Sequence, residues 1–500
     1  MIVIRRENPT FPDQVVGEVI ETAVTDIDAV VQRSHQAFEG WSALSLEDRC
    51  AALTAAADLV TPEIFDEVAL LLTKEVGKPL PDSRGEAMYS VSLMRFNIAQ
   101  AKKVLATHYI DDDAGKLVRT RVPFGVVLAI TPWNAPIILS MLKVAPALVA
   151  GNSIIVKPSP QAPLAVTKLL NVISSGLPDG VIQVVHGGPE AGEALVTHPL
   201  VRKVAFTGGD VVARHIGVAA AQMITPTVME LGGNDAAIFL EDAVLDDAAF
   251  DRIALATFMM GGQVCMASKR IYVPRSRYHE FIAGFVAACE RSVVVGDPMT
   301  DGVTVGPVVS RAAQERLETL VKDSVAAGGE VIEVGTVVDE EVVANGYFVR
   351  PRIVLNLPDD AQLVCEEQFG PLVPIQPYDS VHEVIARANA TELGLAASVW
   401  SADERQAFEV AQRIEAGFVF INTHNRTGMT PRAPFGGVKK SGFGREYGDE
   451  GLLDYTQNVS IHAPAAYRPG GSGGSANAYP GTADVVKRIA DVLDDLIDNG

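Results

Sequence analysis

The stretch Gly125-Val-Val-Leu-Ala-Ile-Thr-Pro-Trp-Asn-Ala-Pro136, with the apolar segment that follows it to Ala150 and then Gly151-Asn-Ser-Ile-Ile-Val-Lys-Pro158, decides the fold class. A short β-branched run, Gly125–Ile130, gives way at a Pro-containing turn to a helical segment, Pro136–Ala150, and then to a second run, Ser153–Val156. The same texture continues downstream. Strand-like runs at Val181–Val185, Lys203–Phe206 and Thr227–Met229 alternate with helical stretches at Pro163–Ser174, Gly192–Val196 and Val211–Ala221. Such alternation predicts βαβ units around a parallel sheet, an α/β fold with ligands bound at the strands' carboxyl ends.

Upstream, residues 25–105 read as helical, in Ala-, Leu- and Glu-rich periodic segments such as Leu46–Val60 and Glu63–Val76. Downstream of Gly232 a second region carries strand-like runs at Arg270–Val273, Ile353–Leu355, Ala397–Val399 and Gly417–Asn422. A chain of 500 residues is long for one core, so two or three packed units are expected. The end of the chain differs. Ala463–Gly481 contains Arg468-Pro-Gly-Gly-Ser-Gly-Gly-Ser475, which cannot bury apolar area and predicts a flexible linker. Beyond it Val485, Ile489, Val492, Leu493, Leu496 and Ile497 fall on one helical stripe, so 482–500 is expected to be a tethered amphipathic helix.

Composition narrows the function classes. The formal net charge of −21 repels phosphate backbones and anionic lipid, which argues against nucleic-acid and membrane partners. The N-terminus lacks the long apolar run and cleavage site of a secretory signal, and the stretch Pro136–Gly151, interrupted by Lys143 and Pro146, is too short to span a bilayer. Four cysteines, Cys50, Cys265, Cys289 and Cys365, form no CxxC pair and no disulfide framework. Free thiols in a reducing cytoplasm are expected, and no metal site is read.

Three segments carry candidate chemistry. Gly261-Gly-Gln-Val-Cys265-Met-Ala-Ser-Lys269 offers a thiol in a glycine-bearing loop; a cysteine of this kind is either a small core residue or a nucleophile activated by nearby dipoles. Met229-Glu230-Leu-Gly-Gly-Asn234 places a carboxylate just after an apolar strand, as a solvated strand end or as a base. Thr131-Pro-Trp133-Asn134-Ala135-Pro136 puts an amide at a strand-to-helix turn, as a helix cap or as an oxyanion donor.

Together and in this order, these segments resemble the aldehyde dehydrogenase superfamily, and the resemblance covers roughly residues 10–462. Lys157-Pro-Ser-Pro160, Phe206-Thr-Gly208, Glu366-Glu367-Gln-Phe369-Gly-Pro371 and Pro434-Phe-Gly-Gly-Val-Lys-Lys-Ser-Gly442 extend it. The resemblance implies a Rossmann-like cofactor domain (1–103 and 124–232), an α/β catalytic domain (233–436) and a small β oligomerisation element (104–123 and 437–462). It also implies a homodimer or homotetramer. By residue-for-residue matching, Cys265 is the nucleophile, Glu230 the base that activates hydrolytic water, and Asn134 an oxyanion donor. Lys157, Trp133, Gly208, Gly209, Glu367 and Phe369 contact the cofactor, NAD or NADP. Acylating relatives that use coenzyme A typically lack the glutamate, so Glu230 favours hydrolysis to a carboxylate. A scaffold protein that keeps the fold without the activity is the non-enzymatic alternative, against which Cys265, Glu230 and Asn134 argue.

Departures from the family pattern bear on the cofactor. Pro160 stands where NAD-preferring relatives often carry a glutamate for the ribose 2′-hydroxyl, which removes a repulsion against a 2′-phosphate. Gly209 replaces a common serine, and Ala213 a usual glycine. The substrate tunnel is matched to Ala135, Ile138, Leu142, Val264, Met266 and the loop Thr423–Arg432, whose His424, Arg426 and Arg432 could pair with a carboxylate-bearing semialdehyde or simply be solvated. The tethered C-terminal helix resembles the encapsulation helices of bacterial microcompartments, implying a shell-protein partner and a small aldehyde such as methylglyoxal or lactaldehyde. An oligomer contact, or an engineered spacer, are the alternatives for that tail; an aromatic aldehyde is the alternative substrate.

Overall fold

A computed structural model describes residues 2–465. The expected linker (463–481) falls largely, and the amphipathic helix (482–500) wholly, outside the described residues. The chain divides into two compact units, one of residues 1–105 and 122–457, the other of 106–121 and, among the described residues, 458–465.

The first unit contains the sheet that the opening stretch predicts. Its six strands run in the order Gly442–Phe443, Thr227–Glu230, Val201–Thr207, Val126–Thr131, Ser153–Pro158, Ile182–Val184. All neighbours are parallel except the edge pair of Gly442–Phe443 with Thr227–Glu230. Helices Pro136–Ala150, Leu164–Ser174, Pro189–Val196 and Asp210–Gln222 make the crossovers.

The strand sequences are apolar without alternation because both faces are covered. Val127 and Ala129 enter one core with Ile154, Val156, Ala205 and Val228. Val126 and Leu128 enter the opposite one with Ile155, Val204, Phe206 and Met229. The helix Pro136–Ala150 stops at Gly151, which caps it in the left-handed region (φ 99°) where a side chain would be strained. Asn152 then clasps the strand entrance, its Oδ1 accepting from the amides of Phe124 (2.7 Å) and Gly125 (3.0 Å).

A seven-stranded sheet lies in the same unit, in the order Glu330–Glu333, Arg352–Leu355, Leu372–Tyr378, Arg270–Pro274, Ala236–Phe239, Ala396–Trp400, Phe418–Ile421. It is parallel apart from its first pair. Three of its strands escape a reading by pattern. Leu372–Tyr378 carries Pro374 and Pro377, Ala236–Phe239 opens on two alanines, and Glu330–Glu333 bears a glutamate at each end. The helical stretch 25–105 resolves into Ile27–Ser42, Leu46–Asp58, Pro62–Val76 and Leu80–Val104.

The second unit is a mostly exposed three-stranded sheet in which Gly115–Pro123 lies between Thr456–Pro464 and His108–Asp112. Among the described residues no helix is long and apolar enough to cross a membrane.

Candidate active site

In the six-stranded sheet the chain turns from Ile182–Val184 at one side back to Val201–Thr207 at the other, so the strands Val126–Thr131 and Val201–Thr207 flank a topological switch point. Loops leaving the carboxyl ends there diverge and open a crevice. The register places Lys157 opposite Ile130, Ile130 opposite Phe206 and Thr207 opposite Glu230. Lys157, the turn Thr131–Asn134, the turn Gly208–Gly209 and Glu230 therefore line one rim.

Asn134 is buried on the turn before the helix Pro136–Ala150. Its Nδ2 donates to the Gln263 carbonyl at 2.9 Å, two residues before Cys265, which leaves a second amide hydrogen for a ligand. The residue in that helix's N-cap position, Ala135, offers no capping side chain. The cap comes instead from the helix Leu80–Val104: Glu86 Oε1 accepts from the amides of Ile137 (2.9 Å) and Ile138 (3.3 Å), while Lys78 donates to Oε2 of the same buried carboxylate. An anion on bare N-terminal amides is the arrangement the helix dipole favours.

The loop that carries Cys265 is tightly turned. Met260, Gly261 and Gly262 have φ of 54°, 64° and 70°, and a Cβ on Gly262 would fall onto the Gly370 carbonyl oxygen. Gln263 pins the loop by donating to the Met260 carbonyl (2.9 Å) and accepting from the Val309 amide (2.9 Å). Burial pushes the Cys265 thiol up to about 12; Lys269 opposes the rise, while Glu367, Asp235 and Glu230 add to it. Those four groups therefore lie within electrostatic reach of the thiol, whose residue is partly exposed. Ala135, Ile138 and Met266 are partly exposed, whereas Leu142 and Val264 are buried.

Glu230 ends its strand with its Oε1 buried and without a hydrogen-bond partner among the described residues. Burial raises its pKa well above the carboxylate range, Glu446 adds to the rise, and Lys143 and Arg445 oppose it. The Lys143 ammonium is itself bound to Glu446 Oε1 (2.5 Å) and Thr207 Oγ1 (2.6 Å) in full burial.

A dinucleotide fits what the crevice offers. The Lys157 side chain is buried for most of its length and its ammonium makes no hydrogen bond among the described residues; burial lowers its pKa against the pull of Glu21. Gly209 caps the helix Asp210–Gln222, and a Cβ there would meet nothing within 4 Å, leaving room at a helix N-terminus suited to phosphate. Gly208 donates its amide to the Glu230 carbonyl at 3.1 Å. Glu367 accepts from the Gly233 amide (3.2 Å) and the Lys269 ammonium (2.5 Å), and the rings of Trp133 and Phe369 meet edge-on at 5.6 Å.

The entrance loop departs from what its sequence suggested. His424 is fully buried, 2.8 Å from Ser398 Oγ, and burial pushes its pKa down to about 3, so it is neutral and not available to a carboxylate. Arg426 is taken by Asp82 at 2.6 Å. Arg432 is exposed without an ion pair among the described residues. The sequence reading singled out none of Glu86, Lys78, Lys143, Glu446, Glu21, Lys269, Tyr89 or Tyr447. Tyr447 lies within electrostatic reach of Tyr89 and of Cys265. Of these, Lys269 ends a segment already picked out and Lys143 interrupts an apolar stretch; the others carry no local sequence signal.

Comparison with known proteins shows the family. The model of the aldehyde dehydrogenase family matches residues 3–461. The phenylacetaldehyde dehydrogenase of Pseudomonas fluorescens is 36% identical over 466 residues, covering 91% of each chain. A succinate-semialdehyde dehydrogenase [NADP(+)] of Escherichia coli K12 is 34% identical, covering 90% of this chain and 92% of its own. The crystal structure of a Mycobacterium tuberculosis aldehyde dehydrogenase complexed with NAD+ superposes with a TM-score of 0.87 at 35% identity, over 93% of this chain and 95% of that one. The chain belongs to the aldehyde dehydrogenase family.

Proposed function

We propose that this NAD(P)-dependent aldehyde dehydrogenase oxidises its aldehyde through a thioester on Cys265 that water, activated by Glu230, hydrolyses to a carboxylate. The observation that carries the reading is the convergence of a loop thiol, an amide with a free hydrogen at Asn134 and a buried carboxylate oxygen without a partner at Glu230. The Cys265 thiol gives up its proton to water, and its Sγ attacks the carbonyl carbon, forming the C–S bond of a thiohemiacetal as the C=O π pair moves onto oxygen. The oxyanion that develops is received by Asn134 Nδ2 and by the Cys265 backbone N–H, each typically worth about 3–4 kcal/mol. When bound, oxidised nicotinamide supplies the hydride acceptor. Glu230 then takes a proton from the water that attacks the thioester, and Cys265 leaves as thiolate.

Lys157, Glu21 and the turn Gly208–Gly209 would hold the adenosine and pyrophosphate end of NAD or NADP, and Glu367, Trp133 and Phe369 the nicotinamide end. The six-stranded sheet thereby serves the cofactor and the seven-stranded sheet the nucleophile loop. With His424 buried and Arg426 already paired, an uncharged aldehyde suits the entrance better than a semialdehyde carboxylate, for which Arg432 is the remaining loop cation. The sequence of 482–500 further supports a shell-protein partner, a place inside a microcompartment in the cytoplasm, and a small aldehyde such as methylglyoxal or lactaldehyde.

The test is NAD(P)H production from a panel of small oxo-aldehydes, aliphatic, aromatic and carboxylate-bearing aldehydes, with both cofactors and with or without coenzyme A. Coenzyme-A-independent oxidation, best with uncharged aldehydes, is expected. Strict dependence on coenzyme A overturns the hydrolytic reading, and preference for semialdehydes overturns the substrate reading. Removing residues 464–500 leaves turnover intact and abolishes co-sedimentation with shells; loss of turnover would make the tail structural.

A further inference from the structure

Lys269 is a buried cation with an unusual set of partners. Its side chain is 2% exposed. Nζ donates to the Cys265 carbonyl (2.5 Å), the Gly233 carbonyl (2.9 Å) and Glu367 Oε1 (2.5 Å), and lies 5.6 Å from the centre of the Phe369 ring. Three donors meet three acceptors, so the ammonium is fully engaged. One acceptor belongs to the assigned nucleophile, and another to the carboxylate assigned to the nicotinamide ribose.

Building on the assignment of Cys265 as nucleophile, we propose that Lys269 is a positioning residue for it: one ammonium beneath the loop fixes the Cys265 backbone, holds Glu367 in place and supplies the positive charge that the thiolate needs. Geometry gives this charge little competition. The acidic groups around the thiol are Glu367, Asp235 and Glu230, and all of them disfavour a thiolate. Asp235 and Glu230 are pushed up by burial, Asp235 to about 8. His424, packed behind the loop, is neutral. Arg270 is turned away, donating to the carbonyls of Asn234 (2.8 Å) and Ala388 (3.0 Å), and Arg316 donates to the Gln368 carbonyl. Tyr447 carries no charge while its burial keeps its pKa high. In a poorly solvated site a single ammonium at this range outweighs distant screened charges. Removing it would leave the thiol among carboxyl groups alone.

The experiment is alkylation of Cys265 by iodoacetamide without cofactor, followed against pH with the modified residue mapped by mass spectrometry. Three variants are compared with the parent. Lys269→Gln keeps a donor on the carbonyls but loses the charge; alkylation at pH 8 is expected to slow about tenfold and the profile to move to higher pH. Lys269→Arg keeps the charge and is expected to stay within about threefold of the parent. Glu367→Gln removes the charge of the carboxylate that opposes the thiolate and pairs with the ammonium, while the ammonium itself is kept, and its profile is expected to move to lower pH. A purely structural lysine would lower the melting temperature of Lys269→Gln and leave its pH profile in place, which overturns the proposal. So does an unmoved profile in Glu367→Gln, a readout that stands even if Lys269→Gln fails to fold. Unimpaired turnover in Cys265→Ser would instead overturn the nucleophile assignment, and the alkylation profiles would still be readable.

Discussion

Cys265 and Glu230 sit in a volume where burial favours the protonated form of both, so the reaction has to create their charged forms against desolvation. For Glu230 the sign is definite. Its pKa is raised, the basic form is the one that activates water, and turnover limited by hydrolysis should therefore rise as pH increases from neutrality and fall as pH drops. A flat pH–rate profile with hydrolysis limiting would contradict its role. Cys265→Ser should abolish oxidation, whereas Glu230→Gln should keep the first-turnover burst and slow the steady state by about 10²–10⁴-fold, the usual worth of a general base; rapid-mixing kinetics separate the two. The sequence makes these two residues and Asn134 readable as candidates because short motifs bearing glycine (Cys265, Glu230) or proline (Asn134) surround them. Lys269, Lys143 and Glu446 are not legible in the same way: a charge reads as solvated surface until the fold shows it buried with a partner 2.5 Å away.

At the scale of elements, the site depends on how the helix Pro136–Ala150 is started. Asn134 is held by its bond to the Gln263 carbonyl and by the fixed N-terminus just after it, and that N-terminus is capped by Glu86 from another helix. Glu86→Ala leaves Lys78 buried and unpaired, a loss of about 3–5 kcal/mol, so a clearly lower denaturation midpoint and a fall in turnover are expected together. An unchanged midpoint would show the cap to be dispensable. Gly262→Ala forces a side chain onto the Gly370 carbonyl in a left-handed conformation, and turnover should collapse with cofactor binding less affected; calorimetric titration with NAD+ checks the second half. The strand Val126–Thr131 and its crossover helix were legible as pattern because burial on both faces of a parallel sheet leaves an unbroken apolar run. Leu372–Tyr378 was not, since two prolines break the pattern of a strand that only its neighbours on either side define. The cap from Glu86 is a contact over 51 residues of sequence, and no local rule finds it.

For the whole molecule, the helix Asp210–Gln222 and the turn after it leave Val211, Val218 and Ile224 exposed at 60%, 63% and 91%. Apolar side chains gathered on one short segment support the expected self-association, with a second copy of the chain as the cover. Val218→Asp combined with Ile224→Asp should shift the particle toward monomer in light scattering, and an unchanged mass would place the contact elsewhere. The central claim, however, concerns one covalent bond in the intact chain. It is tested most directly by intact-protein and peptide mass spectrometry of Glu230→Gln quenched during turnover of an oxidised aldehyde with NAD(P)+. The expected result is an acyl adduct of the substrate accumulating on Cys265 and absent from Cys50, Cys289 and Cys365. Normal turnover without any adduct, or acylation of another cysteine, would contradict it.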